Sequence, residues 1–259
     1  MDQTKPVFGM VHLPALPGSA GQSMTLDEVV EYALRDAAAL AEGGADGMIV
    51  ENFGDSPFEP GRVQAHTVAC MAVIAREVRK RVDLPLGINV LRNDGLSALA
   101  VAEASGASFI RVNVYTGARL TDQGLIEGAA HELQRYRKLL GSSVKIFADV
   151  AVKHSSAIAP RGLAEEVEET LDRGRADAII VSGTATGKET NMGELEVAKR
   201  AAGKAPVFAG SGVTVLNVRS VLSIADGVIA GTWLKKDGQT TGPVDPIRVK
   251  QLMAAARGR

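Results

Sequence analysis

Short apolar runs recur along this chain, and each is followed by a turn signal and then by a longer segment whose apolar residues have helical spacing. This alternation is typical of repeated βα units around a parallel sheet. Eight runs are predicted to be strands: Val7–His12, Gly47–Asn52, Leu86–Leu91, Phe109–Val114, Val144–Val150, Ala178–Ser182, Val207–Gly210 and Gly227–Gly231. Eight such units close more naturally into a (β/α)₈ barrel, the TIM-barrel fold, than into an open doubly wound sheet, which is the structural alternative.

Segments with helical spacing lie between the runs. The predicted helices are Leu26–Glu42, Val63–Val82, Gly95–Ser105, Leu125–Leu140, Gly162–Arg173, Gly193–Ala202, Thr214–Ser223 and Pro246–Ala256. Several helices lead into the next strand through one device, a glycine followed by a small residue and then by Asp or Ser, as in Gly43-Gly44-Ala45-Asp46 and Gly106-Ala107-Ser108. Glycine can adopt the left-handed conformation that closes a helix, so these joints predict α-to-β turns at the bottom of the barrel.

Length and composition agree with one barrel. The chain has 259 residues, of which 46% are apolar, and barrels of this kind commonly have about this length. Proline and glycine are scattered rather than gathered into a linker, so residues 1–259 are predicted to form a single domain. The only cysteine, Cys70, excludes an internal disulfide and a thiolate zinc site.

The balance of acidic and basic side chains limits the kind of partner that the chain is expected to bind. The 29 basic and 30 acidic side chains nearly cancel, so the chain lacks the basic field that binds nucleic acid or an anionic membrane surface. We expect a small-molecule partner instead. Residues 1–7 show no charged segment followed by an apolar run, and no stretch approaches the roughly 18 apolar residues of a membrane span. A cytoplasmic protein is expected, and a homo-oligomer is left open.

Polar residues stand at the ends of the first five predicted strands. They are His12, Glu51, Asn89, Arg111 with Asn113, and Asp149. In barrel enzymes the chemistry lies where strands end and βα loops begin, and polar groups are otherwise rare in strands buried on both faces. Any one of them could be a polar cap on a loop. Five strands ending this way predict that the side chains converge on the barrel mouth. Burial of Arg111 calls for a carboxylate partner, either Glu51 or Asp149, and that pairing could be purely structural.

The segment after the fifth predicted strand carries three groups with acid–base chemistry. Asp149, Lys153 and His154 offer a base, a cation for developing negative charge and a proton shuttle within six residues. Glu51 and Asp149 could also hold Mg²⁺ or Mn²⁺ through their oxygens. The same groups could bind a substrate directly, so no cofactor is required by the sequence.

The last three predicted strands end in glycine-rich segments instead. These are Ser182-Gly183-Thr184, Gly210-Ser211-Gly212 and Gly231-Thr232. Glycines let backbone N–H groups approach an anion, and a following helix N-terminus adds a positive dipole end. Barrels commonly hold phosphate at the loops after strands seven and eight. The segments therefore predict a phosphate site, with tight turns as the alternative and with Lys235 and Lys236 close enough in sequence to assist.

Several blocks of the chain together resemble a known family. They are Gly9–Gly18, Ile49–Phe58, Gly87–Asp94, Ile110–Val114, Asp149–His154 and Gly210–Thr214. Over nearly its whole length the chain resembles the BtpA/SgcQ family. The resemblance implies a phosphate-binding barrel enzyme and, for cyanobacterial members, an association with photosystem I biogenesis or stability. Ala151 stands where some relatives are expected to have His, so a second imidazole is not carried over.

Two functions are compatible with these residues. The first is an enzyme that acts on a small phosphorylated substrate, a sugar phosphate or a nucleoside-derived phosphate, by proton transfer, isomerisation or carbon-bond lysis. Asp149 is expected to be the central acid/base, with Glu51 as the alternative, while Arg111 stabilises negative charge and Asn89 and Asn113 orient hydroxyl groups. The second is a non-catalytic assembly or stability factor, as the photosystem association of some relatives implies. The polar barrel mouth favours the enzyme.

Overall fold

The eight apolar runs form parallel strands that close into a barrel, which confirms the predicted fold. The computed structural model describes residues 5–152, 155–159, 161–183 and 190–258. Within these residues the strands are β1 Val7–His12, β2 Gly47–Glu51, β3 Leu86–Asn89, β4 Phe109–Val112, β5 Ala118–Thr121, β6 Gly124–Glu127, β7 Lys145–Val150, β8 Ser155–Ala157, β9 Ala178–Val181, β10 Val207–Ala209 and β11 Gly227–Ala230. The closed barrel has the order β1-β11-β10-β9-β7-β4-β3-β2, so β3 and β10 lie on opposite sides of it.

Helices alternate with the barrel strands. The α-helices within the described residues are α1 Leu26–Glu42, α2 Ala65–Arg81, α3 Gly95–Ser105, α4 Ala130–Leu139, α5 Leu163–Glu168, α6 Met192–Ala201, α7 Val218–Ile224 and α8 Pro246–Ala256. Three of the predicted helices, now α1, α3 and α8, have their predicted bounds because each begins at a side-chain cap: Thr25, Asp94 and Asp245 accept hydrogen bonds from first-turn amides. None of the helices in the described ranges has the length and apolar character of a membrane span.

Two predicted helices, those from Leu125 and Thr214, begin about a full turn later than expected. The helix predicted from Leu125 begins at Ala130, because Gly124, with a φ of 95°, turns the chain back and residues 124–127 pair with β5. The helix predicted from Thr214 begins at Val218, because the side chain of Asn217 accepts from the Thr214 N–H and donates to the Gly212 carbonyl, holding a turn. The loops after β4 and β7 therefore form an antiparallel sheet in the order β6-β5-β8 that the sequence did not indicate.

Four phenylalanine rings fill the lower part of the barrel. Neighbouring rings of Phe8, Phe109, Phe147 and Phe208 have centroids 4.6–5.6 Å apart. The rings fit because inward positions on adjacent strands are glycine: a Cβ at Gly87 would lie 2.3 Å from the Phe109 ring. This aromatic plug closes the barrel from below, so inward side chains two residues further along each strand form the floor of its mouth.

Three aspartates at the bottom of the barrel make the same type of contact with a neighbouring strand. Asp46, Asp177 and Asp226 each end an α-to-β turn, and each accepts a hydrogen bond from the backbone N–H of the first or second residue of the preceding barrel strand, at 2.7–2.9 Å. Each carboxylate also receives a hydrogen bond from a Lys or Arg side chain. The predicted turns are confirmed, and their aspartates serve the fold rather than the mouth of the barrel.

Candidate functional site

A cavity of about 780 Å³ opens at the end of the barrel where the strands finish. It brings together most of the predicted site residues: His12, Glu51, Arg111, Asn113, Gly210, Ser211, Gly212, Gly231 and Thr232. Two of the three glycine-rich segments, Gly210–Gly212 and Gly231–Thr232, therefore border the same space as His12 and Glu51. Of the other predicted site residues, Asn89, Asp149, Ser182 and Gly183 are described but lie outside this lining. Lys153, His154 and Thr184 fall outside the described residues.

Arg111 and Asp149 form a buried pair in the floor of the cavity. The Arg111 Nε donates to Asp149 Oδ1 at 2.9 Å, and its Nη2 donates to Oδ2 at 2.8 Å. The two side chains are 5% and 1% exposed, so this fork-to-fork contact is almost completely dehydrated. Asp149 rather than Glu51 is the partner because β4 pairs directly with β7, whereas β3 separates β4 from β2.

Two asparagines extend this pair into a network. Asn113 Nδ2 donates to Asp149 Oδ2 at 3.1 Å, and Asn89 Nδ2 donates to Asn113 Oδ1 at 3.1 Å. Asn89 also donates to the Arg111 carbonyl, which ties β3 to β4. Both Asp149 oxygens are thus occupied by protein donors, and the carboxylate holds the guanidinium of Arg111 in place.

Arg111 keeps its charge in this setting. Burial by itself lowers the pKa of a guanidinium, but the Asp149 carboxylate, through its charge and hydrogen bonds, outweighs that effect and the pKa of Arg111 is raised. Nε and Nη2 are committed to Asp149, while Nη1 makes no hydrogen bond with any residue the structure describes. Because Arg111 lines the cavity, Nη1 is the part of the fork left for a ligand.

His12 and Glu51 form the second polar pair of the cavity. The His12 Nδ1 lies 3.1 Å from the Thr240 carbonyl oxygen, and its Nε2 lies 3.7 Å from Glu51 Oε1. A carbonyl oxygen only accepts hydrogen bonds, so Nδ1 carries the proton and Nε2 faces the carboxylate. The His12 ring also stacks on Phe53, with centroids 4.7 Å apart. These contacts fix a carboxylate and an imidazole side by side in the cavity wall.

The two glycine loops pass directly beside these groups. A Cβ at Gly231 would lie 3.2 Å from the His12 ring, and one at Gly210 would lie 2.4 Å from Ile180 and 3.6 Å from Arg111 Nη2. The chain can approach so closely only because these residues lack a side chain. The backbone after β10 and β11 therefore forms one wall of the cavity. The helix dipole predicted after the first loop is absent there, since α7 starts six residues beyond Gly212.

Sequence reasoning missed three charged residues of the cavity. Arg92 follows β3, Asp122 lies in the turn between β5 and β6, and Arg248 is in the first turn of α8. Arg248 Nε donates to the Trp233 carbonyl at 2.6 Å, and its guanidinium lies 4.7 Å from the centre of the Trp233 ring. The position of Arg92 directly after a strand was a usable signal. A helix arginine and a hairpin turn give no such signal.

Lys235 does not assist the cavity as anticipated. Its Nζ donates to Asp36 Oδ2 at 2.9 Å, and both side chains are fully buried between α1 and the segment after β11. Asp36 also accepts from the Val244 N–H. Burial lowers the pKa of Lys235, and the Asp36 charge only partly opposes that shift. The pair joins the last loop to α1 and has a structural role.

The described residues do not bring together the metal ligands that the sequence suggested. Across the described ranges, no group of three His, Cys, Asp or Glu side chains is placed to hold an ion. Asp149, one of the two expected ligands, has both oxygens occupied by Arg111 and Asn113. The described residues therefore do not fit a carboxylate-bound Mg²⁺ or Mn²⁺.

Hydrogen bonds join the segment after β2 to the loops that follow β1 and β3. The Asn52 Oδ1 accepts from the Leu91 N–H at 2.7 Å, and its Nδ2 donates to Asp55 Oδ2. Asp55 Oδ1 accepts from the Leu16 N–H at 2.8 Å. A Cβ at Gly54 would meet the backbone of Ala15 at 2.2 Å. The block therefore locks the loops after β1, β2 and β3 together beneath the cavity wall.

Comparison with solved structures agrees with the barrel. N-(5′-phosphoribosyl)anthranilate isomerase from Pyrococcus furiosus superposes with a TM-score of 0.59 at 16% identity, covering 98% of each chain. An archaeal fructose 1,6-bisphosphate aldolase has a TM-score of 0.58 at 17% identity, covering 99% of this chain and 95% of its own. At these identities the likeness shows the fold alone.

Comparison of sequences shows the family. The chain is 50% identical over 250 residues to the photosystem I biogenesis protein BtpA of Synechocystis, covering 96% of this chain and 87% of that protein. It is 48% identical to a protein of Thermococcus kodakarensis, covering 98% and 96%, and 45% identical to one of Methanocaldococcus jannaschii, covering 99% and 97%. The BtpA family model matches residues 3–258. This chain therefore belongs to the BtpA family.

Proposed function

We propose that this protein is an enzyme that moves a proton within a small phosphorylated substrate, as in an isomerisation or a carbon-bond lysis. One observation carries the proposal: a single cavity is lined by two glycine loops, by the Glu51–His12 pair and by the unpaired Nη1 side of Arg111. Anion binding, a base and a cation are thus available to one ligand.

The phosphate group is assigned to the wall formed by Gly210–Gly212 and Gly231–Thr232. Backbone N–H groups of such loops bind phosphate oxygens without a side chain in the way. Arg248 lines the same cavity and supplies a positive charge. The names of the structurally similar isomerase and aldolase mention phosphorylated compounds, which supports this assignment by analogy of fold.

The base is assigned to Glu51. It lines the cavity, and His12 Nε2 lies beside its Oε1 at 3.7 Å. A proton taken from the substrate by Glu51 could pass to His12 and return to a neighbouring atom, which balances an isomerisation without an oxidant or a reductant. The free edge of Arg111 would stabilise negative charge that develops on a substrate oxygen.

Asp149 takes a different role from the central base that the sequence suggested. Its oxygens face Arg111 and Asn113 rather than the cavity. We assign it as the positioning residue that holds Arg111 at the angle needed to meet the substrate. The geometry thus favours the alternative, Glu51, for proton abstraction.

A second candidate is the non-catalytic assembly factor. The Synechocystis relative is named for photosystem I biogenesis, and Leu120, Leu125 and Ile158 on or beside the β6-β5-β8 sheet are 54–60% exposed. Such apolar residues fit a partner surface. The enzyme is favoured because a surface for protein docking does not explain three buried charged groups, Glu51, Arg92 and Arg111, around the cavity in the barrel mouth.

A thermal-shift screen tests the proposal. Sugar phosphates are compared with the same sugars lacking phosphate, each at a high fixed concentration. A ligand at 100 times its Kd stabilises the folded protein by about 2.7 kcal/mol, which raises the Tm of a domain of this size by several degrees. We expect shifts with phosphorylated members only. Flat curves across the whole panel, or equal shifts without phosphate, would contradict the proposal.

A further inference from the structure

Arg92 occupies the side of the cavity opposite the proposed phosphate wall. It follows β3, whereas Gly210–Gly212 follows β10, and four strand positions separate β3 from β10 in either direction around the barrel. Strands about 4.8 Å apart that tilt by about 36° give an eight-stranded barrel a diameter of roughly 15 Å. The two positions can therefore contact opposite ends of one small molecule.

The backbone that carries Arg92 is held on both sides. The Leu91 N–H donates to Asn52 Oδ1 at 2.7 Å. The Asn93 side chain exchanges two hydrogen bonds with the backbone of Val114, at 2.7 and 2.8 Å. Arg92 itself donates its N–H to the Glu59 carbonyl at 3.2 Å. The guanidinium is thus presented from a rigid loop, which lowers the entropy cost of using it to bind a ligand.

The environment of Arg92 favours an additional anion. The residue is only 8% exposed, and burial lowers the pKa of its guanidinium more than the charges of Asp149, Asp122 and Glu51 raise it. A guanidinium has several N–H donors, so a ligand anion that enters the cavity can be bound in addition to the partners that Arg92 already has, and it would stabilise the buried charge further.

We propose that the ligand carries a second anionic oxygen group, a carboxylate or another phosphate, at the end opposite its first phosphate, and that Arg92 binds it. This inference rests on the proposed function and specifies its substrate class as a small compound with an anionic group at each end. The planar fork of Arg92 suits carboxylate and phosphate equally, because both present two oxygens in one plane to it.

Calorimetric titration with four probes tests the inference. Inorganic phosphate and ribose 5-phosphate have one anionic group, 6-phosphogluconate adds a carboxylate, and fructose 1,6-bisphosphate adds a second phosphate. Hydrogen bonds to charged groups contribute roughly 1.5–3 kcal/mol, about 10- to 100-fold in affinity. We expect at least one two-ended probe to bind at least about tenfold more tightly than ribose 5-phosphate, and the better of the two identifies the second group.

Variants assign that gain to Arg92. Arg92→Gln should bring the affinity for the two-ended probe to within about threefold of the affinity for ribose 5-phosphate, both measured on that variant. Arg92→Lys keeps the charge but lacks the planar fork, so it should retain part of the gain in affinity for the two-ended probe. This variant also tests the inference if Arg92→Gln does not fold. Arg81→Gln removes the same charge from the exposed end of α2, at the bottom of the barrel, and should match the wild type.

The possible results distinguish a failure of this inference from a failure of the proposed function. Binding of phosphate or ribose 5-phosphate with no gain for either two-ended probe, or a gain that persists in Arg92→Gln and Arg92→Lys, overturns the role of Arg92 and leaves the phosphate site standing. Absence of binding by all four probes overturns the proposed phosphate site and, with it, this inference.

Discussion

The Asp149 carboxylate accepts hydrogen bonds from Nε and Nη2 of Arg111, at 2.9 and 2.8 Å, in the floor of the barrel mouth. Neighbouring strands β4 and β7 contribute one residue each. The pair converts a charge that is costly to bury into a fixed cation that lines the cavity. Asp149 thus acts through Arg111, and this determines what its removal should do.

Asp149→Asn should destabilise the protein strongly. Removing one partner of a buried ion pair leaves an uncompensated charge and typically costs about 3–5 kcal/mol. The measurement is the free energy of unfolding in urea. The double variant Arg111→Met/Asp149→Leu, which removes both charges, should recover most of the loss, whereas additive losses of the two single variants would show that the residues do not act as a pair.

Glu51→Gln should abolish proton transfer while keeping the ligand bound. General-base catalysis is worth about 10²- to 10⁴-fold, and glutamine preserves the shape of the side chain. The measurement is deuterium exchange into a bound phosphosugar in D₂O, followed by NMR. Glu42→Gln, on the exposed side of α1 in an ion pair with Lys250, is the matched control and should exchange like the wild type. Unchanged exchange in Glu51→Gln, with lost exchange in Asp149→Asn at equal occupancy, would assign the base to Asp149.

Gly87→Ala should disrupt the aromatic plug. The added methyl would lie 2.3 Å from the Phe109 ring, and overpacking of a tight core costs about 1–3 kcal/mol. We expect a Tm lower by several degrees in calorimetry. Gly61→Ala, where nothing lies within 4 Å of the added Cβ, is the control and should change the Tm little. A Tm for Gly87→Ala equal to that of the control would mean that the rings do not need this space.

Asp177 should make stability depend on acid pH. Burial alone would raise the pKa of this carboxyl, but hydrogen bonds from the Ile146 N–H and from Arg137, with the Arg137 charge, lower it below 3.8. A carboxyl with a lowered pKa contributes stability above its unfolded pKa, and the contribution is lost as pH falls through the folded pKa. The stability difference between wild type and Asp177→Asn should therefore be large at pH 7 and shrink below about pH 4. Asp172→Asn, at an exposed position, should show little difference at either pH, and a constant difference for Asp177→Asn would contradict the assignment.

Much of the fold could be predicted because its signals are local. Buried parallel strands give short apolar runs, and alternation along them places Arg111 above Phe109 on the inward face. Polar residues at the strand ends identified His12, Glu51 and Arg111, which line the cavity. They also identified Asp149 as a possible partner of Arg111, but the choice between Asp149 and Glu51 depends on which strands are neighbours.

Other parts of the site depend on tertiary packing and left no local signal. Arg248 reaches the cavity from a helix because the segment after β11 folds Trp233 against it. Asp122 lies in the turn of the β5–β6 hairpin, and the helix predicted from Leu125 covers most of β6, because the apolar residues there also fit helical spacing. Short loop strands of this kind are stabilised by cross-strand pairing, which the sequence of one strand does not reveal.

The central claim, a phosphate bound by the loops after β10 and β11, is tested most directly by calorimetric titration of ribose 5-phosphate into Thr232→Asp. A carboxylate introduced at the proposed phosphate wall should repel the ligand and weaken binding at least about tenfold. Ser220→Asp adds the same charge at an exposed position on α7 and should bind like the wild type. Equal affinity of ribose 5-phosphate for Thr232→Asp, Ser220→Asp and the wild type would contradict the claim and place the phosphate elsewhere.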